Sequence, residues 1–89
     1  MKLHIIAVRD RAADVYGQPQ FVASVGMAIR SFSDEINRDA ADNILSKHPE
    51  DFDLFLLGLY DDQTASLDVD SPPRQLAVGK DVSTRLKAS

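Results

Sequence analysis

Three hydrophobic patterns succeed one another along the chain: both faces apolar over Lys2–Arg9, a helical stripe over Val25–Ile36, and a nearly unbroken apolar run over Leu54–Tyr60. In the first, Leu3, Ile5 and Ala7 share one face and His4, Ile6 and Val8 the other, which predicts a central strand. Asp10–Gln20 contains Gly17 and Pro19 and reads as a connecting loop with a helical turn near Ala12–Val15, followed by a short extended piece at Phe21–Val22. Ser24 then supplies an N-cap oxygen, and Val25, Ala28, Ile29, Phe32 and Ile36 recur at the spacing of one buried helix face through Asn37. The outer face of that helix carries Met27, Arg30, Asp34 and Arg38.

Asp39 or Asp42 is expected to cap a second short turn holding Ala40, Ile44 and Leu45 against the core. Pro49 has the fixed φ that suits the first position of a helical turn, and Glu50 and Asp51 favour its N-terminal end. In the strand that follows, Leu54, Leu56, Gly58 and Tyr60 alternate with Phe55, Leu57 and Leu59, and both faces call for cover. Asp61–Thr64 has hairpin composition, and the return strand over Ala65–Asp70 is read with Leu67 and Val69 inward. Ser71, Pro72 and Pro73 interrupt the ladder before a last short strand over Gln75–Lys80.

These elements give an α+β fold: a small antiparallel or mixed β-sheet of about four strands, with one main amphipathic helix packed on one face. The boundaries predicted are one domain over residues 1–82 and a flexible C-terminal tail over 83–89. One helix covers one face, so Ile6, Val8 and one side of the Leu54–Tyr60 strand are expected to be bare. A patch of that size predicts a homo-oligomer that closes the sheet, face to face or edge to edge.

At 89 residues the chain buries only about 60–65% of its unfolded surface, a marginal core that often leans on a disulfide, a metal or a partner. Cysteine is absent, which removes disulfides, thiolate metal sites and cysteine nucleophiles. The longest apolar run is the seven residues Leu54–Tyr60, too short for a membrane span. Arg9, Asp10 and Arg11 cut off the N-terminal apolar run before a signal-peptide pattern forms. Fourteen acidic against ten basic residues leave a net charge of −4, which opposes bulk attraction to a phosphate backbone. The bases gather toward the ends: Lys2, Arg9 and Arg11 against Asp10, and Lys80, Arg85 and Lys87 against Asp81.

Catalytic constellations are missing. His4 lies within a strand and His48 precedes Pro49, with no serine, cysteine or acid arranged to make either a general base. Asp61, Asp62, Asp68 and Asp70 offer oxygen ligands without the spacing of a calcium loop, and the glycines are too scattered to cradle phosphate. The sequence therefore predicts a binding protein, not an enzyme, with no cofactor and no metal. Tyr16, near Arg9 and Arg11, is the one candidate platform for stacking an unpaired base. The nucleic-acid candidates are Arg9, Arg11, Tyr16, Arg30, Lys80, Arg85 and Lys87. The candidates for contact with a protein partner are Met27, Arg30 and Asp34.

The ordered segments QPQFVASVGMAIRSFSDEIN, HPEDFDLFLLGLYDDQT and PPRQLAVGKDV resemble the small nonstructural protein of microviruses, in particular the gokushovirus-like single-stranded-DNA phages. The shared features are a Pro-x-Phe opening, an Ala-x-Arg-x-Phe-x-Asp helix, a His-Pro-Glu-Asp-aromatic turn and a Leu-Phe-x-Leu-Gly strand with an acidic tip. Ala77-Val78-Gly79 stands where relatives show glycine before valine. The resemblance implies a nonstructural protein of the host bacterial cytoplasm, outside the mature virion, that acts in single-stranded-DNA replication and genome packaging. It implies single-stranded DNA as a direct ligand or, alternatively, the replication initiator, the procapsid or a host factor as a protein partner.

Overall fold

The computed structural model describes residues 1–84. Arg85 and Lys87, with most of the predicted 83–89 tail, lie outside the described residues. The elements are β1 (Lys2–Asp10), β2 (Val15–Tyr16), β3 (Gln20–Val22), α1 (Val25–Asn37), α2 (Ile44–Lys47), a 3-10 turn (Pro49–Asp51), β4 (Phe52–Asp61), β5 (Ser66–Val78) and α3 (Gly79–Val82). Every strand pairing is antiparallel. The sheet order is β2-β1-β4-β5, with β3 also on β1. The fold is α+β, as the hydrophobic pattern predicts. The Asp10–Gln20 segment differs from expectation: it is no helical turn but a hairpin, with Val15 and Tyr16 opposite Asp10 and Arg9.

α1 forms where its stripe requires. Ser24 Oγ accepts from the Met27 N–H at 3.1 Å, satisfying one orphan first-turn amide. Ala28, Phe32 and Ile36 are buried and pack with Ile6, Phe52, Leu54 and Leu56 into one cluster, against which Val8, Val22, Val25, Ile29 and Leu76 also lean. Burying a Phe or Ile side chain stabilises by about 1.5–3 kcal/mol, so Phe32 and Ile36 anchor the helix. Ile6 and Val8 are therefore on the helix-covered face, the reverse of the sequence expectation. Strand alternation fixes two faces without saying which one the helix will choose.

The uncovered face carries Leu3, Ile5 and Ala7, and a bulge enlarges it. β1 and β4 pair Ile6 with Leu56 but Ile5 with Gly58, leaving Leu57 as the extra residue. An extra residue reverses the alternation beyond it. Tyr60, opposite Leu3, thus moves to the helix-free side, away from Leu54 and Leu56. Leu67 and Val69 of β5 pair with Tyr60 and Gly58 and are 61% and 65% exposed, not inward as the alternation predicted.

β5 is one long strand rather than two. Asp70–Pro73 bows out opposite Leu57, between the pairs Val69–Gly58 and Arg74–Leu56. β5 is an edge strand, where prolines are tolerated. The same prolines remove donors from that edge, and this disfavours the edge-to-edge pairing allowed for at the sequence level.

The short elements brace one end. α2 is capped by Asn43, not by Asp39 or Asp42: its side chain accepts from the Leu45 N–H at 3.2 Å and donates to the Glu35 and Arg38 carbonyls, each at 2.8 Å. Ile44 is 54% exposed, outside the core where it was expected. Asn37 Nδ2 donates to the Val82 carbonyl at 3.0 Å, and its Oδ1 accepts from the Thr84 N–H at 2.9 Å, which ties α3 to α1. Gly79 sits where any Cβ would strike the Pro49 and Phe52 carbonyl oxygens, so the chain can enter α3 there only without a side chain.

Candidate nucleic-acid interface

Four of the six aromatic residues converge on the helix-free face in two edge-to-face pairs. Tyr16 meets Phe55 with ring centroids 5.5 Å apart and planes at 72°. Phe21 meets Tyr60 at 5.5 Å and 77°. Each pair straddles β1: Tyr16 and Phe21 stand on β2 and β3, and Phe55 and Tyr60 on β4, the neighbour on the other side. The flanking strands lie about 9.5 Å apart at ordinary sheet spacing, so rings 5.5 Å apart must lean inward over β1. This accounts for the burial of Ile5 (7% exposed) and Ala7 (3%) on a face that no helix among the described residues covers. The outer rings stay open, Tyr16 at 40% and Phe21 at 52% exposure.

The arginines of this face sit at one end of the ring array. Arg9, opposite Tyr16 in register, places its guanidinium carbon 5.7 Å from the Tyr16 ring centroid. A side-chain hydrogen bond to Asp14 at 2.8 Å raises its already high pKa, against the opposing effect of desolvation. Asp14 is 83% exposed, so this is a surface ion pair of small net worth that another anion can replace. Arg11 Nε lies 3.1 Å from Asp53 Oδ2, and its Nη2 donates to the Glu50 carbonyl. Asp53 faces Arg9 across the β1–β4 ladder and is buried. Among the described residues, its Oδ1 and the Arg9 Nε are buried without hydrogen-bond partners.

The sequence candidates fall into three places. Arg9, Arg11 and Tyr16 come together on the helix-free face, as their nearness in sequence suggested. Lys80 is exposed on α3, which packs against the Pro49–Asp51 turn that Arg11 also reaches, so the two share an end of the sheet. Met27, Arg30 and Asp34 form an exposed row on α1, away from the rings, and Met27 is 63% exposed. Phe21, Phe55 and Tyr60 were not singled out from sequence. Phe55 carried a signal, since it lies on the opposite side of β4 from Leu54 and Leu56, whereas Tyr60 was hidden by the bulge.

Of the aspartates that invited a cation, Asp61 accepts from the Gln63 N–H at 3.0 Å within the hairpin, and Asp62 pairs with the N-terminal ammonium at 2.8 Å. His48, Glu50 and Asp51 place one ligand atom each within 4.8 Å of one another, brought together by the tightness of the 3-10 turn.

Neither a curated protein nor a solved structure matches the chain. The family profile described as phage ORF5 protein matches residues 3–82, from β1 through the last residue of α3. The chain belongs to the phage ORF5 protein family.

Proposed function

We propose that this phage protein binds single-stranded DNA through the ring pairs of its helix-free face, as a non-catalytic, nonstructural factor of a gokushovirus-like microvirus. Its place of action on this reading is the host cytoplasm, during genome replication and packaging. The observation that supports it is the two aromatic pairs straddling β1, with Tyr16 and Phe21 open to stacking. Bases stack on such rings with about 1–3 kcal/mol each, whatever their identity. A chain of net charge −4 gains little from bulk electrostatics, so stacking supplies most of the affinity and Arg9 and Arg11 add a few phosphate contacts.

The protein reports on this itself. It has no tryptophan, and its two tyrosines, Tyr16 and Tyr60, are both on the proposed face. Stacked bases should quench tyrosine emission on titration with a twenty-residue oligothymidylate at low salt. Tyr16→Ala and Phe21→Ala should each weaken binding by about tenfold or more. Arg11→Ala should lower the slope of log affinity against log salt by about 0.7, the share of one phosphate on a single strand. Unchanged emission and mobility at low salt would eliminate DNA as the ligand. The reading would then pass to a protein partner on the exposed Met27, Arg30 and Asp34 row.

A further inference from the structure

Resting on the DNA reading, we infer that the face takes an extended strand with a footprint of three nucleotides, the outer two bases on the two ring pairs and the middle one between them over β1. Tyr16 and Phe55 pair in register with Arg9 and Ala7, and Phe21 and Tyr60 with Ile5 and Leu3. The ring pairs are thus displaced by four residues of β1, about 13 Å at ordinary strand rise. Bases stacked as in a duplex are only ~3.4 Å apart along a strand, so adjacent stacked bases cannot occupy both pairs. A strand stretched to about twice that rise per nucleotide covers the gap in two steps, leaving one nucleotide in between.

Between the ring pairs the floor of the face is Ile5 and Ala7 of β1, both apolar. The outer positions accept any base because every base has a π-face, so the site discriminates by length of strand and not by base identity.

Emission titrations with thymidine di-, tri- and hexanucleotides test the footprint, with Tyr16→Phe and Tyr60→Phe leaving one tyrosine to report each ring pair. The trinucleotide should bind at least tenfold tighter than the dinucleotide and quench both tyrosines at the same concentration, with only a modest gain at six nucleotides. If the twenty-residue strand binds but di- and trinucleotides bind alike, or one tyrosine stays unquenched, the footprint is wrong while the DNA reading stands. If no strand of any length binds, both fall.

Discussion

Phe21 and Tyr60 touch edge to face at 5.5 Å although their strands are not neighbours, because both lean over β1 from opposite sides. The contact therefore ties the short β3 to the sheet independently of its backbone pairs with His4, Ile5 and Ile6. Aromatic pairs of this geometry contribute about 0.5–1.5 kcal/mol beyond their buried area. A double-mutant cycle of Phe21→Leu and Tyr60→Leu, measured by urea unfolding, should show a coupling of that size. Additivity within about 0.3 kcal/mol would mean that the rings are merely adjacent.

Gly58 and Gly26 should respond to alanine with opposite signs. A Cβ on Gly58 would run into the Asp68 carbonyl oxygen and lie 2.8 Å from the Val69 Cα, both backbone atoms of β5. The strands would have to part at the bulge, and we expect Gly58→Ala to cost about 2–3 kcal/mol in urea unfolding. A Cβ on Gly26 meets nothing within 4 Å on the exposed side of α1. Gly26→Ala should stabilise by about 0.4–1 kcal/mol through the entropy of the unfolded chain. A stable Gly58→Ala variant would remove the close β4–β5 approach from the account of the bulge.

How far the sequence could be read follows from these positions. The α1 stripe, the Ser24 cap and the Pro49 turn were legible because each depends on local spacing and local hydrogen-bonding chemistry. The side of the sheet that α1 covers was not, because Leu3, Ile5 and Ala7 are as apolar as Ile6 and Val8, and only packing chooses between them. The bulge at Leu57 was equally hidden: an apolar run has no polar residues to reveal a change of phase, so Tyr60 was placed with Leu54 and Leu56. The ring array depends on that change of phase. Arg9, Arg11 and Tyr16 were within reach because they lie close in sequence, while Phe21, Phe55 and Tyr60 join them only through long-range register.

Acid should weaken the end of α1 through Glu35. Hydrogen bonds from Arg38, two from Nε at 3.0 and 3.1 Å and one from Nη2 at 2.7 Å, hold the Glu35 carboxyl below its ordinary value of 4.5. A carboxylate with a lowered folded pKa stabilises fully above the unfolded value, and the contribution is lost as pH falls through the folded one. Glu35→Gln should therefore lower the urea midpoint slightly near neutral pH, since the pair is exposed, and meet the parent well below pH 4.5, where the carboxyl is protonated, so that its fall in stability with acid is flatter. Parallel acid limbs in parent and variant would show that the pair does not couple to folding.

Asn43 should be the most sensitive polar position of the helical layer, because one buried side chain serves three backbone groups on two elements. Its Oδ1 caps Leu45, and its Nδ2 holds the Glu35 and Arg38 carbonyls at the end of α1. Asn43→Ala strands an amide and both carbonyls where water has little access, and losing a cap costs about 1 kcal/mol before those carbonyls are counted. We expect a total near 2–4 kcal/mol by urea unfolding. Asn43→Asp separates the two duties: the acid can still cap Leu45 but, when ionised, cannot donate, and it places a negative charge against two carbonyl oxygens. That variant should be as damaging as alanine at neutral pH and recover part of the difference in acid, where a protonated carboxyl regains one donor. If Asn43→Asp matches the parent at neutral pH, the bridge from α2 to the end of α1 contributes nothing and the cap alone explains the residue.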